Sequence, residues 1–262
     1  MELLFKSART SIYVNHNNGT PFVVKSLNEN NTDYTKAVLL ENEYEITSNL
    51  KLNCVRKATG KTTFNNNTAI TLEYVSGKNL NEFFLKKVSP EEFLNFAIKI
   101  AEALSEIHQQ KIIHKDINPR NILISKENMD IKFIDFEFSS IFEPENFIYE
   151  PSEKIEGTLQ YISPEQTGRT GRIVDFRSDL YSLGITFYEL LTGKSPFREM
   201  DNMGIIYAHI AKVPVSPYEI INEPDNRYLK EISKIIMKLI AKDPDERYQS
   251  SRSLLHDLQY CF

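Results

Sequence analysis

In "KIIHKDINPRNILIS" an aspartate, Asp116, and an asparagine, Asn121, follow closely on a histidine. Moving a phosphoryl group between oxygens needs little covalent chemistry from a protein. It needs a carboxylate to orient the attacking hydroxyl, oxygen ligands for a metal and a cation on the phosphates. Asp116 fits the first role and Asn121 the second. A further ligand is available in "IKFIDFEFS", where Asp135 ends a strand-like apolar run, and a cation in "FVVK", where Lys25 ends an early strand. The lysine's expected partner lies in "ENEYEI". Glu41 and Glu45 share one helical face there, and Glu43 projects from the other.

The elements that must hold these groups fall into two kinds. "SIYVNH" and "PFVVKSL" flank an Asn-Asn-Gly turn, which predicts a hairpin. "YTKAVLLENEYEITSNLK" has helical apolar spacing, and "TAITLEYV" reads as a buried strand closed by Ser-Gly. Beyond it the period becomes helical. "SPEEFLNFAIKIAEALSEIHQQ" opens with a serine cap, a first-turn proline and two acids. Helical stretches follow in "DFRSDLYSLGITFYELLTG", "MGIIYAHIAK" and "LKEISKIIMKLIAK". The expected architecture is α+β: a small β-rich lobe over residues 1–75 and a larger helical lobe over 76–262.

Bulk composition narrows the class. A chain of 262 residues, 41% hydrophobic and 26% charged, has the makings of a globular protein with a sizeable core. A net charge of −5 without a block of like charges argues against nucleic acid or an anionic membrane as partner. Cys54 and Cys261 fit no metal or redox spacing. "MELLFKSART" lacks a signal-peptide core, and no apolar run reaches about 18 residues. The expected compartment is the cytoplasm.

"HKDINPRN" resembles the catalytic loop of protein kinases. "GTLQYISPEQ" resembles the end of their activation segment, with Ser163-Pro164-Glu165 for Ala-Pro-Glu, and "SDLYSLG" their central lobe helix. Arg247 in "DPDERYQS" matches the arginine that pairs with that glutamate. The likeness covers essentially the whole chain. It is nearest to bacterial serine/threonine-kinase-like domains that head sensor proteins continuing into an AAA-type ATPase, a GAF domain and a histidine kinase. The resemblance implies Mg2+ and ATP held between the lobes, and transfer of the terminal phosphoryl to a Ser or Thr of a protein substrate or of the chain itself. Further domains of the same polypeptide are possible partners. Asp116 is then the hydroxyl-orienting base, and Asn121 and Asp135 are metal ligands. Lys25 and Glu43 fix the nucleotide. Glu73, Tyr74 and Val75 supply hinge backbone to adenine, with Leu72 behind, Val23 above and Leu123 below. Asp179 braces the catalytic loop, and Thr158 contacts the catalytic aspartate.

Three positions depart from the pattern. "FKSARTSIY" stands where a glycine-rich, phosphate-covering loop belongs, so either the hydroxyls of Ser7, Thr10 and Ser11 or the cation of Arg9 greets phosphate, or the segment is a plain turn. Asn118 occupies the place of a lysine on the transferring phosphate, and as a catalytic group it offers only an amide donor. Glu137 replaces the glycine after Asp135-Phe136, with three open roles: metal ligand, repeller of phosphate, or solvent-facing residue. The alternative to a kinase is a silent nucleotide-binding pseudokinase. Lys115 precedes Asp116 where an arginine is usual. Glu137, Glu143, Glu145, Glu150, Glu153 and Glu156 face only Lys154 in the segment that follows, so it is either a solvated acidic loop or one in which a glutamate takes the place of a phosphate opposite Lys115.

Overall fold

Strands Thr10–Asn17 (β2) and Thr20–Leu27 (β3) form a hairpin whose turn residues, Asn18 and Gly19, both take positive φ (49° and 82°). That pair of left-handed residues matches the twist of the flanking strands. The structure, a computed structural model, describes residues 1–28, 34–85, 88–143, 155–198 and 201–261. Glu2–Lys6 (β1), Ala58–Phe64 (β4) and Asn67–Glu73 (β5) extend the hairpin into a five-stranded antiparallel sheet of order β1-β2-β3-β5-β4. Helix α1 (Tyr34–Asn49) packs on it. Its Leu40 joins Val23, Leu27, Ala58, Ile70 and Leu72 in a small apolar core.

A second, larger core lies beneath. Helix α3 (Pro90–Gln109) begins at a capping box in which Ser89 and Glu92 satisfy each other's backbone amides. It turns Phe93, Leu94, Ala97, Ile100, Leu104 and Ile107 inward. Helix α4 (Phe176–Thr192) starts at an Asp175 cap and ends at Gly193, in the left-handed conformation (φ 70°). Helices α7 (Arg227–Leu239) and α8 (Ser251–Tyr260) contribute Leu229, Ile232, Ile236, Leu254 and Leu258. Short helices α2 (Leu80–Phe83), α5 (Asn202–Ala211) and α6 (Pro217–Ile221) complete the lobe. The fold is two-lobed α+β.

Small strands flank the loop that holds Asp116 and Asn121. Gly77–Asn79 (β6), Ile122–Ser125 (β8) and Ile131–Phe133 (β9) form one antiparallel sheet, and Ile112–Ile113 (β7) pairs with Ser140–Ile141 (β10). The predicted strand "TAITLEYV" stops at Glu73, leaving Tyr74 and Val75 in the connection to β6. Among the described residues no helix is long and apolar enough to cross a membrane.

Candidate active site

Lys25 lies on β3 opposite Ile70 of β5, a register that buries its side chain to 2% exposure beneath the sheet. Leu40, Glu43 and Thr47 recur at helical spacing on the buried face of α1, which brings Glu43 to the lysine. Lys25 Nζ donates to Glu43 Oε2 at 2.5 Å and to Asp135 Oδ1 at 2.7 Å, and lies 2.8 Å from Glu137 Oε1. Glu41 and Glu45 face outward and approach Lys61 instead. Burial disfavours the ammonium, but Asp135, Glu137 and Glu43 together outweigh it and hold the Lys25 pKa above its usual value.

Asp135 is in the left-handed region at φ 66°, where side-chain-bearing residues are uncommon. Phe136 beside it is fully buried against the His114 ring, with centroids 4.5 Å apart. Asn42 of α1 donates to the carbonyls of Phe136, Glu137 and Ser139, fixing the turn from the opposite side. Burial raises the Asp135 pKa, but Lys25, with help from Arg9 and Arg56, carries it below the ordinary carboxylate value. Glu137 goes the other way: burial, opposed by Lys25 and reinforced by Asp135 and Glu43, raises its pKa.

The catalytic-loop residues bond to one another. Asn121 Nδ2 donates to the Asp116 carbonyl at 2.9 Å and to Asp116 Oδ2 at 3.0 Å. The other carboxylate oxygen, Oδ1, accepts the Thr158 amide at 2.7 Å. Asn118 Nδ2 reaches Asp116 Oδ1 at 3.3 Å and Thr158 Oγ1 at 3.4 Å, while its Oδ1 accepts the Arg120 amide. Asn118 thus clamps the loop to the Thr158 segment. Burial, then the Asp135 charge, raises the Asp116 pKa. Beneath the loop, buried Asp179 of α4 accepts the amides of His114 and Lys115, both at 2.8 Å. Glu165 and Arg247 form a buried two-pronged pair at 2.7 and 3.0 Å, and Ser178 donates to the same carboxylate. Lys115 Nζ lies 3.5 Å from Glu156. Glu145, Glu150, Glu153 and Lys154 lie outside the described residues.

Val23 and Leu72 are directly opposed in the β3–β5 register, and both are buried. Val14 of β2 faces Val23 from the other side, an apolar neighbour that no motif marks in the sequence. Leu123 lies on β8 opposite Asn79. The Glu73 side chain is held by Lys132 at 2.9 and 3.0 Å, while Tyr74 is exposed.

The hard oxygen donors suit Mg2+. Asn121 spends its amide nitrogen on Asp116, so its oxygen is the atom that could face a cation, and Asp135 has Oδ2 beside the oxygen given to Lys25. Glu43, Asp135 and Glu137 also each bring a carboxylate oxygen within 4.8 Å of one another, and the Lys25 ammonium already lies within 2.8 Å of an oxygen of each.

One expectation needs correction. Glu137 is 1% exposed, so it does not face solvent. Arg9, a candidate for phosphate, is ion-paired with Glu137.

A two-lobed fold with this lysine–glutamate pair and aspartate–asparagine loop defines a protein-kinase-like domain. The family described as "Protein kinase domain" matches residues 6–258, and the chain belongs to it. The chain is 36% identical over 194 residues to a probable serine/threonine-protein kinase of Streptomyces coelicolor, a match covering 73% of this chain and 28% of that protein. Against the serine/threonine-protein kinase PknB of Mycolicibacterium smegmatis identity is 35% over 191 residues, 72% of this chain and 29% of the relative. The chain therefore spans under a third of the length of these relatives. In fold it is similar to the crystal structure of the PknI kinase domain of Mycobacterium tuberculosis, with a TM-score of 0.72 at 21% identity, over 99% of this chain and 93% of that one.

Proposed function

We propose that this chain is the kinase domain of a serine/threonine protein kinase, transferring the γ-phosphoryl of Mg-ATP to a Ser or Thr hydroxyl of a protein or of itself. The observation that carries the reading is the convergence of Asp116, Asn121 and Asp135 with the Lys25–Glu43 pair where the two lobes meet. Asp116 orients the attacking hydroxyl, its rotamer held by Thr158 and Asn121. Asn121 and Asp135 hold Mg2+, which when bound neutralises charge building on the phosphates. Lys25, kept in place by Glu43, contacts the phosphates. Asn118 lends Asp116 an amide donor where a cation is usual. Adenine lies between Val23 and Leu123, with Leu72 behind and the backbone of Glu73, Tyr74 and Val75 at its edge. The lobes divide at residues 75 and 76. A larger cytoplasmic signalling polypeptide, with ATPase or histidine kinase domains as neighbours, is the setting that suits a kinase domain of this kind.

One observation favours a second reading, a nucleotide-binding pseudokinase: Lys25 is already surrounded by three carboxylates, and Asn118 brings no charge. Thermal shift with ATP, with and without Mg2+, and radiolabel transfer to a basic protein or to the chain itself separate the readings. A Mg2+-dependent shift with label on Ser or Thr supports the kinase. A shift without label supports the pseudokinase, and no shift with ATP defeats both.

A further inference from the structure

Glu137 holds both cations that stand nearest the place of the phosphates. Its Oε1 lies 2.8 Å from Lys25 Nζ, and its Oε2 accepts from Arg9 Nη2. Arg9 sits in the turn between β1 and β2, in the segment that covers the phosphates in the reading above. That turn has little backbone to offer a ligand. The Ser7 amide is given to the Thr10 carbonyl at 2.9 Å, and the Arg9 and Thr10 amides go to Ser7 Oγ at 3.1 and 2.9 Å. Asn28 staples the same turn, its side chain donating to the Ser7 carbonyl and its amide to that of Arg9. What remains for a phosphate is the Arg9 guanidinium, which lies 5.2 Å over the Phe138 ring and is 28% exposed.

An ammonium has three N–H groups, and the Lys25 ammonium faces three carboxylates. Two of the N–H groups go to Glu43 and Asp135, and Glu137 Oε1 stands 2.8 Å from the nitrogen without a hydrogen bond, so a phosphate oxygen that reaches the third N–H displaces Glu137. Glu43 is 2.5 Å from the lysine and has Arg56 near its other oxygen, and Asp135 has its own role at the metal. Glu137 is the acid whose two oxygens both lie against a cation, Oε2 accepting from Arg9 and Oε1 close to Lys25.

We propose that Glu137 is an internal counterion standing in for nucleotide phosphate, and that Arg9 is the phosphate-gripping side chain of a glycine-free covering loop. On nucleotide binding Arg9 and Lys25 exchange Glu137 for the polyphosphate. The proposal rests on the nucleotide reading above. The resident pair subtracts from the affinity for polyphosphates, which bind only by opening it, and leaves the affinity for a ligand without phosphate untouched.

Calorimetric titration of native protein, Glu137→Gln, Arg9→Gln and Arg9→Lys with ATP, ADP and adenosine, each with Mg2+, tests this without any turnover. Unliganded melting temperatures check that each variant folds. Glu137→Gln is expected to tighten ATP and ADP about tenfold or more, the worth of a charge-assisted hydrogen bond, and to leave adenosine unchanged. Arg9→Gln weakens ATP and ADP about tenfold, again with adenosine unchanged, and Arg9→Lys recovers part of the loss. Unchanged or weaker ATP binding in Glu137→Gln overturns the proposal, as does tighter ATP binding in Arg9→Gln. Those results leave the nucleotide reading standing. Binding of none of the three ligands by any of these proteins overturns both.

Discussion

Replacing Lys25 with Met keeps the apolar stem of the side chain and removes the ammonium from carboxylates at 2.5, 2.7 and 2.8 Å. Glu43 and Glu137 are each 1% exposed, so water does not take its place; Asp135, at 31%, keeps solvent and adds little. Removing one partner of a buried ion pair costs about 3–5 kcal/mol. Arg56 near Glu43 and Arg9 on Glu137 remain, which favours the lower end, about 3 kcal/mol. At roughly 2–4 °C per kcal/mol for a domain of this size, the melting temperature at pH 7 should fall by roughly 6–12 °C. The sign of the pH dependence follows from linkage. Acids left without their cation bind protons more readily in the folded chain than in the unfolded one, so the deficit narrows as pH falls from about 7 to about 5. Adding Glu137→Gln to Lys25→Met should recover part of the loss at pH 7. Scanning calorimetry without nucleotide reads all three quantities. A fall under about 2 °C, or a deficit that widens on acidification, would refute the reasoning. Lost transfer in Lys25→Met thus reports on catalysis only when the melting temperature is measured beside it.

Three other changes probe the site from different directions. Asn118→Lys should raise the transfer rate by roughly tenfold or more, because it places a cation beside Asp116 where an amide donor now stands; initial rates at saturating ATP check this. Gly157→Ala should slow transfer, because Gly157 sits at φ 97° and a Cβ there would stand 2.7 Å from the Lys115 carbonyl, displacing the Thr158 amide from Asp116; its ATP affinity should stay near native. Arg247→Met strips Glu165 of its buried partner and should cost about 3–5 kcal/mol, read from denaturant midpoints.

The groups that could carry the chemistry were legible because each is marked by its own neighbours in sequence. Asp116 and Asn121 share one loop and Asp135 ends an apolar run, whereas among three glutamates it is the likeness of "ENEYEI" to the kinase pattern that selects Glu43, and its burial on one face of α1 with Leu40 and Thr47 came from the structure. The Asn-Gly hairpin and the Ser89–Glu92 capping box were equally local. What the sequence withheld depends on distant approach. The Arg9–Glu137 pair joins residues 128 positions apart, and no local pattern tells a buried glutamate after Asp135-Phe136 from a solvated one. Asn42 lies on a helix full of polar residues, and its grip on the carbonyls of Phe136 to Ser139 depends on how α1 docks. The end of β5 at Glu73 is set by its pairing with Phe22 rather than by the apolar run, which continues to Val75.

The most direct measurement is phosphoryl transfer by native protein and by Asp116→Asn, with the ATP dissociation constant of each measured under the same conditions. The Asp116 carboxylate accepts from Thr158 and Asn121, and Asn121 also donates to the Asp116 main-chain carbonyl, so the substitution acts chiefly on the hydroxyl and leaves Asn121 one of its two bonds. The account predicts label on Ser or Thr with native protein, a fall of about 10²–10⁴ in Asp116→Asn, and ATP affinities that agree within about threefold. Equal transfer by the two proteins would contradict the account, as would native protein that binds Mg-ATP and transfers nothing.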